Sequence, residues 1–290
     1  MTKKRRIYNR GNAYARKGDY DRAIAEYDQM IRLAPDDADA YFNRGNAYYE
    51  KGEYASAIGD YSVAIRLDLN HADAYFNRGA AYDERGDYNR AVADYDEALR
   101  IDPNHVGAYF NRGVVYGNQG DYDRAVADFT EALRIDPNHA DAYFNRGVVY
   151  ADQGDYDRAV ADYTEALRLD PNHADAYNGR GYAYASAGDY DRAIADCNEA
   201  LLLNPNFAGV YIVRGAAYVD QGDYDRAVVD YTEALRFNSN DADVYYNRGF
   251  VYYYKEDYAR ARADWEKALQ LDSNDADARN NLEILRGMGY

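Results

Sequence analysis

The sequence AYFNRG occupies residues 40–45 and returns at residues 74–79, 108–113 and 142–147. Each copy begins 34 residues after the previous one. The final glycine continues this period on both sides, as Gly11, Gly45, Gly79, Gly113, Gly147, Gly181, Gly215 and Gly249. A fixed period of this length predicts an array of similar units, each a single supersecondary structure.

Each unit has the pattern of two short helices. In the unit that begins at residue 142, the first helix has one face made of Tyr143, Arg146, Gly147 and Tyr150. The second has a face made of Tyr156, Ala159, Val160, Tyr163, Ala166 and Leu167. Between them, Gly154 is predicted to end the first helix and Asp155 to cap the second. All five prolines fall where a unit ends, which is a position that a helix cannot continue through.

The domain organisation follows from this repeat. Eight units begin near residues 6, 40, 74, 108, 142, 176, 210 and 244, and together they fill residues 6–277. Two short helices cannot bury both of their apolar faces alone, whereas stacked units share a continuous core, so the predicted fold is an all-α solenoid. Residues 278–290 lack the glycine and a second helix, and are predicted to form a C-terminal capping helix. Residues 1–5 are predicted to be a disordered basic terminus without the apolar run of a signal peptide.

The repeat resembles the tetratricopeptide repeat (TPR) family. The family pattern of aromatic, glycine, tyrosine, alanine, aromatic and proline residues is matched by Tyr143, Gly147, Tyr150, Ala159, Tyr163 and Pro171. The resemblance covers residues 6–277. It implies a right-handed superhelical solenoid of antiparallel helix pairs, in which the first helix of each unit lines the inner surface. It also implies a protein-binding scaffold without catalytic activity.

Composition limits the classes of partner and compartment. The net charge of −17 gives the protein a negative field that repels phosphate backbones, so nucleic acid is excluded as a partner. No window is long and apolar enough to span a bilayer. A single cysteine, Cys197, excludes an intramolecular disulfide and suits a reducing compartment, and we therefore expect the cytoplasm.

One row departs from the family pattern, because arginine stands where leucine is expected. Its members are Arg10, Arg44, Arg78, Arg112, Arg146, Arg180, Arg214 and Arg248. Each second helix carries an acid directly before its core aromatic position: Glu26, Asp60, Asp94, Asp128, Asp162, Asp196, Asp230 and Asp264. A charge in a buried stripe needs a partner, so we expect structural ion pairs such as Arg112–Asp128 and Arg146–Asp162. The alternative is that the arginines project into the groove and bind acidic ligands.

No motif indicates catalysis or a cofactor. No phosphate-binding loop follows a strand, and no nucleophile with a base can be identified. Four histidines occupy equivalent turns at His71, His105, His139 and His173. They are too far apart to share a metal ion, and we expect them to hydrogen-bond nearby Asp side chains. Cys197 and Trp265 replace the core aromatic residue of their units and are expected to be packing residues.

Asparagine, phenylalanine and aspartate recur on the stripe of the first helix that should face the groove. The predicted peptide-binding residues are Asn9, Asn12, Asp39, Phe42, Asn43, Asn46, Asp73, Phe76, Asn77, Phe110, Asn111, Asp141, Phe144, Asn145 and Asn247. An amide both donates and accepts, so a row of asparagines can bind the main chain of an extended peptide. Exposed phenylalanines would supply apolar pockets, and the aspartates would favour basic partners. These rows are equally consistent with a purely structural origin.

The asparagine row is interrupted in the sixth and seventh units and resumes at Asn247. In the seventh unit, Val210, Ile212 and Val213 are predicted to form an apolar patch that seats a hydrophobic anchor or a second copy of the chain. In the family's carboxylate clamp, Asn12 and Asn43 match the two asparagines. Non-cationic residues replace the clamp's cationic ones, so recognition of acidic C-termini is not expected.

The sequence therefore predicts a scaffold that binds an extended or helical segment of a basic protein in its groove. Two alternatives remain open. One is a structural protein that self-associates through the apolar patch or its ends, and the other is a non-catalytic subunit of an enzyme complex.

Overall fold

The structure is a computed structural model that describes residues 3–290, and this part of the chain consists of helices and turns without a strand. The first member of each helix pair is α1 (Lys3–Ala15), α3 (Ala38–Glu50), α5 (Ala72–Asp83), α7 (Val106–Asn118), α9 (Ala140–Asp152), α11 (Ala174–Ser186), α13 (Ala208–Asp220) and α15 (Ala242–Tyr254). The second member is α2 (Tyr20–Leu33), α4 (Tyr54–Leu67), α6 (Tyr88–Ile101), α8 (Tyr122–Ile135), α10 (Tyr156–Leu169), α12 (Tyr190–Leu203), α14 (Tyr224–Phe237) and α16 (Tyr258–Leu271). A single helix, α17 (Ala276–Gly287), follows.

The turn inside most pairs has the predicted chemistry, although Glu53 before α4 makes no side-chain capping bond. Gly154 has a φ of 77°, in the left-handed region that glycine adopts without strain. The Asp155 side chain then accepts a hydrogen bond from the backbone N–H of Arg158 at 3.1 Å and caps α10. Both predictions are confirmed. In the last pair, Glu256 adopts the left-handed conformation at the glycine position.

The core of each pair forms where the aromatic residue of the second helix meets the glycine of the first. A Cβ atom on Gly45 would lie 2.7 Å from Cε1 of Tyr61, so only glycine leaves room for this ring. Tyr61 is 1% exposed. Trp265 and Cys197 are equally buried at the same position, which confirms their expected packing role. Burial raises the pKa of Cys197 to about 12, as expected for an unreactive thiol in the core.

Two compact units can be distinguished, Met1–Ala142 and Tyr143–Tyr290. In the first, the helices from α1 to α8 pack in sequence order, each against the next. In the second, the helices from α10 to α17 do the same. The terminal helix α17 buries Ala278, Leu282 and Leu285, and Leu282 occupies the position of the arginine row.

The N-terminus differs from the sequence prediction. Residues 3–5, predicted as disordered, form the first turn of α1, which buries Ile7 and Gly11 farther along. The preceding residues of the predicted disordered terminus, 1 and 2, lie outside the described part of the chain.

Candidate functional site

The first helices form one face of each unit and contact one another directly. These contacts join α1 to α3, α3 to α5 and α5 to α7 in the first unit, and α11 to α13 in the second. Of these contacts, the one between α11 and α13 is the most extensive. We call the surface formed by these helices the first-helix face.

Two asparagines of this face are bonded to core tyrosines. The Tyr27 hydroxyl donates to Oδ1 of Asn12 at 2.7 Å, and the Tyr61 hydroxyl donates to Oδ1 of Asn46 at 2.8 Å. Asn46 also accepts a hydrogen bond from Nδ2 of Asn77 at 2.8 Å, which links consecutive repeats. These amides are therefore held in fixed orientations by the core.

Asn43 is held in a different way. Its Nδ2 donates to the backbone oxygen of Asp39 at 2.6 Å and to the hydroxyl of Tyr8 at 3.0 Å. The amide oxygen of Asn43 receives neither of these bonds and can accept from another group. Asn43 is half-buried and lies on the wall of the first of two clefts.

The first-helix face of the unit Met1–Ala142 contains two adjacent clefts. The first has a volume of about 490 Å³ and is lined by Asn12, Ala15, Arg16, Tyr20, Tyr27, Asn43, Asn46, Ala47 and Glu50. The second has a volume of about 350 Å³ and is lined by Asn46, Tyr49, Glu50, Tyr61, Phe76, Asn77, Ala80 and Asn111. The structure thus brings together six of the predicted residues: Asn12, Asn43, Asn46, Phe76, Asn77 and Asn111.

The remaining predicted residues of the asparagine, phenylalanine and aspartate rows lie outside these two clefts. They are Asn9, Asp39, Phe42, Asp73, Phe110, Asp141, Phe144, Asn145 and Asn247. The exposed Asp39 and Asp73 lie in the first turns of α3 and α5. Their carboxylates are 4.0 and 3.5 Å from Nε2 of His71 and His105, respectively.

The phenylalanines are half-buried, which corrects the expectation that they are exposed. Phe76 packs against Tyr95 of its own repeat and His105 of the next turn, with ring centroids 5.9 and 4.5 Å away. Equivalent contacts surround Phe42, Phe110 and Phe144. These rings therefore fill the space between repeats, and only Phe76 also lines one of the two clefts.

The histidines cap helices. Nδ1 of His105 accepts a hydrogen bond from the backbone N–H of Ala108 at 3.1 Å, and His71, His139 and His173 make the same contact at 3.3 Å. The acceptor must be unprotonated, which leaves Nε2–H of His105 facing Asp73. Residues 3–290 contain no group of three His, Cys, Asp or Glu side chains that could hold a metal ion.

One of the three residues predicted to form an exposed apolar patch, Val210, is buried instead. Val210 is 0% exposed and packs in a core with Cys197 and Ala200. It occupies the helix position at which the other repeats, apart from the first, bury a small alanine or another valine. Ile212 and Val213 are half-buried and pack against the cores of their own unit.

The arginine row contacts the acid row inside each helix pair. Nε of Arg112 donates to Oδ2 of Asp128 at 2.7 Å, and Nη2 donates to Oδ1 at 2.6 Å. Nη1 donates to Asp96 in the second helix of the preceding repeat. The guanidinium carbon lies 5.6 Å from the centroid of the Tyr109 ring. Arg112 thus joins two helices of its own repeat and one of its neighbour.

The same two-bond contact recurs along the chain. It joins Arg44 to Asp60, Arg78 to Asp94, Arg146 to Asp162, Arg180 to Asp196, Arg214 to Asp230 and Arg248 to Asp264. None of these arginines lines either of the two clefts.

The second cleft has an acidic rim. Glu50 lines it, and Asp83 lies one helical turn beyond Ala80 on the same helix. Burial raises the pKa of Asp83, and Glu84 beside it raises that pKa further. Burial also raises the pKa of Tyr49 to about 12, with additional contributions from the surrounding carboxylates. A cationic group would relieve this concentration of negative charge.

The sequence interpretation missed Tyr49, Glu50 and Ala80 as lining residues. All three lie on the exposed side of the first helices, and their rows vary from repeat to repeat. The change from asparagine at positions 12 and 46 to alanine at position 80 was the sequence feature that could have indicated a cleft beside Ala80.

An array of paired helices, each pair built around a glycine and an aromatic ring, defines a helical-repeat protein. Family models described as TPR repeat match residues 11–52, 45–84, 81–120 and 215–255. Models described as tetratricopeptide repeat match residues 110–162, 149–209 and 242–275. The chain belongs to the tetratricopeptide repeat family.

Solved structures support the same fold. A tetratricopeptide repeat protein from Parabacteroides merdae ATCC 43184 is 22% identical, with a TM-score of 0.61 over 86% of this chain and 98% of that one. YrrB, described as a TPR protein with an unusual peptide-binding site, is 25% identical, with a TM-score of 0.56 over 63% of this chain and 95% of that one.

A chain of the APC/C hetero-tetramer Cut9–Hcn1 is 20% identical to this protein, with a TM-score of 0.66. The match covers 92% of this protein but only 54% of that chain. No curated protein sequence matches this one. No helix in residues 3–290 is long and apolar enough to cross a membrane.

Proposed function

We propose that this protein is a non-catalytic scaffold that binds an extended or helical peptide segment of a partner protein on its first-helix face. TPR proteins bind protein partners, and the proposal places the partner on the asparagine row. The observation that carries it is the second cleft, where Asn46, Asn77 and Asn111 from three successive repeats line one cavity. Amides spaced along a cleft suit the regularly spaced N–H and C=O groups of a peptide.

The walls of the clefts favour a peptide with basic and apolar side chains. Tyr49, Tyr61 and Phe76 supply aromatic surface in the second cleft, and Glu50 lies between the two clefts. Arg16 is the cationic side chain that lines the first cleft. With a net charge of −17, the whole protein attracts a basic partner over long distances. The peptide-binding site named for YrrB, a protein of the same fold, supports this assignment.

The experiment selects peptides from a random library on the wild-type protein and measures their affinity by fluorescence anisotropy. Replacing Asn77, Asn111 and Asn145 together by alanine should weaken binding by about tenfold or more. The melting temperature should fall only slightly, because these side chains are half-buried and the hydrogen bond that Asn77 donates to Asn46 is worth about 1 kcal/mol. The control replaces Asn104, Asn138 and Asn172, the asparagines of equivalent turns, by alanine. Equal affinities for all three proteins would show that the asparagine row is not the binding site.

A further inference from the structure

The hydroxyl of Tyr95 is buried without a hydrogen-bond partner. The side chain is 0% exposed, and in residues 3–290 it is the one tyrosine whose hydroxyl is both buried and unpaired. A buried polar group without a partner costs free energy, so native proteins normally provide one. The position of the missing partner can be read from the neighbouring repeats.

The preceding repeats show where the acceptor should be. The rings of Tyr61 and Tyr95 pass the glycine of their own repeat in the same way, with Cε1 at 2.7 and 2.8 Å from a Cβ built on Gly45 and Gly79. Beyond that glycine, the Tyr61 hydroxyl meets Oδ1 of Asn46. The equivalent residue for Tyr95 is Ala80, which has no acceptor.

In the following repeat, the core aromatic residue has no hydroxyl that needs an acceptor. There, valine stands at the asparagine position, as Val114, and the core aromatic residue is Phe129, which has no hydroxyl. In the unit Met1–Ala142, the aromatic residue and its partner therefore match in three repeats and are mismatched only at Tyr95 and Ala80. In the other unit Tyr163 and Tyr231 likewise face Val148 and Ala216. Tyr95 is nevertheless the tyrosine of residues 3–290 whose hydroxyl is both buried and unpaired, and its mismatch falls beside the second cleft, which Ala80 lines.

A second donor points to the same place. Asn77 donates through Nδ2 to Oδ1 of Asn46, so that oxygen accepts from both the tyrosine and the next asparagine. Asn111 is the equivalent of Asn77 one repeat later, and it also lines the second cleft. Burial raises the pKa of Tyr95 and Asp83 raises it further, while the Asn111 amide, which approaches the hydroxyl as a hydrogen-bond donor and not as an acceptor, lowers it. Asn111 and Ala80 line the second cleft, and the buried Tyr95 lies behind them.

We propose that the second cleft receives the carbonyl oxygen of an amide from a peptide ligand, in the place that Oδ1 of Asn46 holds one repeat earlier. The ligand oxygen accepts from the Tyr95 hydroxyl and the Asn111 amide, and the half-buried Asn111 side chain shifts to admit it. The amide is either a main-chain peptide group or the side chain of Asn or Gln. This inference rests on the proposed peptide-binding function and names the chemistry of one subsite.

The charge around the subsite selects the amide over a carboxylate. Glu50 lines the cleft, and Asp83 lies close enough to raise the pKa of Tyr95. A ligand carboxylate at this position would be repelled by both, whereas a neutral carbonyl would not. A lysine or arginine next to the amide in the ligand would be attracted by the same two carboxylates.

The test uses short acetylated and amidated peptides, rich in lysine, whose central residue is Gln, Ala or Glu. Their affinity for the full chain is measured by fluorescence anisotropy. Tyr95→Phe removes the donor, and Ala80→Asn supplies an internal acceptor that fills the subsite. Each variant should bind about tenfold more weakly than wild type, which is the loss expected for one well-placed hydrogen bond. Tyr231→Phe, which removes the hydroxyl of a buried tyrosine in the other unit, should bind normally.

The three peptides distinguish the sources of the amide. A central Gln that binds tighter than Ala indicates a side-chain amide, equal affinities indicate a main-chain carbonyl, and both results support the proposal when Tyr95→Phe weakens binding. The proposal is overturned if no peptide binds wild type, if the Glu peptide binds most tightly, or if Tyr95→Phe and Ala80→Asn bind as well as wild type.

Folding of the variants is checked by their melting temperatures. Ala80→Asn should raise the melting temperature, because it gives the Tyr95 hydroxyl an acceptor, and a lower value would also contradict the proposal. Loss of binding in the asparagine triple variant, with unchanged binding in Tyr95→Phe and Ala80→Asn, would reject this subsite but keep the proposed function. Unchanged binding in all of these variants would reject both.

Discussion

The ion pair between Arg112 and Asp128 gives the sharpest test of how the repeats are held together. The carboxylate is 8% exposed and the arginine side chain 18% exposed, so neither is well solvated. Burial raises the pKa of Asp128 although Arg112 donates two hydrogen bonds to it. Burial lowers the pKa of Arg112, but its bonds to Asp128 and Asp96 outweigh this, so the arginine remains charged.

Arg112→Leu should lower the free energy of unfolding by about 3 kcal/mol, because it leaves the Asp128 carboxylate buried without a cation. Asp128→Leu should cost less, since Arg112 keeps its bond to Asp96, whose side chain is 54% exposed. The double variant should lose about 1 kcal/mol or less, because leucine is the residue that the family has at the arginine position. The single changes should therefore be strongly non-additive.

Urea denaturation followed by circular dichroism measures all four proteins of this double-mutant cycle. The control is Arg124→Leu, whose arginine is 60% exposed and pairs with Asp121 at the surface, and it should cost at most about 1 kcal/mol. If the two single changes add within about 0.5 kcal/mol, the buried pair does not couple and the reasoning is refuted. A loss for Arg124→Leu equal to that for Arg112→Leu would show that burial is not the cause.

Three further predictions follow from the core and the clefts. Gly45→Ala should lower the free energy of unfolding by about 1 to 3 kcal/mol, because its Cβ would meet the Tyr61 ring. Gly59→Ala, in open space, should raise the free energy of unfolding by about 0.5 to 1 kcal/mol. Similar effects of the two changes in urea denaturation would argue against close packing at residue 45. Tyr61→Phe should lower the free energy of unfolding by about 1 kcal/mol and Tyr95→Phe should hardly change it, because only the Tyr61 hydroxyl has a hydrogen-bond partner. A greater loss for Tyr95→Phe than for Tyr61→Phe in thermal unfolding would contradict this. A lysine-rich peptide bound near Glu50 should lose affinity as salt rises, and anisotropy titrations that show no salt dependence would exclude a basic ligand there.

The sequence determined the repeat, its helices and the residues at which these helices begin and end. Helix ends depend on residues within one turn, so Gly154 and Asp155 could be assigned from spacing alone. The pairing of each arginine with the acid of the second helix in its own repeat could also be anticipated, because two rows of opposite charge recur in register eight times. Repetition supplies many copies of the same local evidence, and this makes such assignments secure.

Only the tertiary structure decided which of the repeated side chains remain available to a ligand. Spacing placed Val210 and Phe76 on an exposed stripe, but packing against the next repeat buries the first and half-buries the second. The partner of Tyr61 lies on another helix, and so does Ala80, which stands at the equivalent position for Tyr95. Burial and hydrogen bonding across helices depend on distances between residues far apart in sequence, and no local pattern specifies those distances.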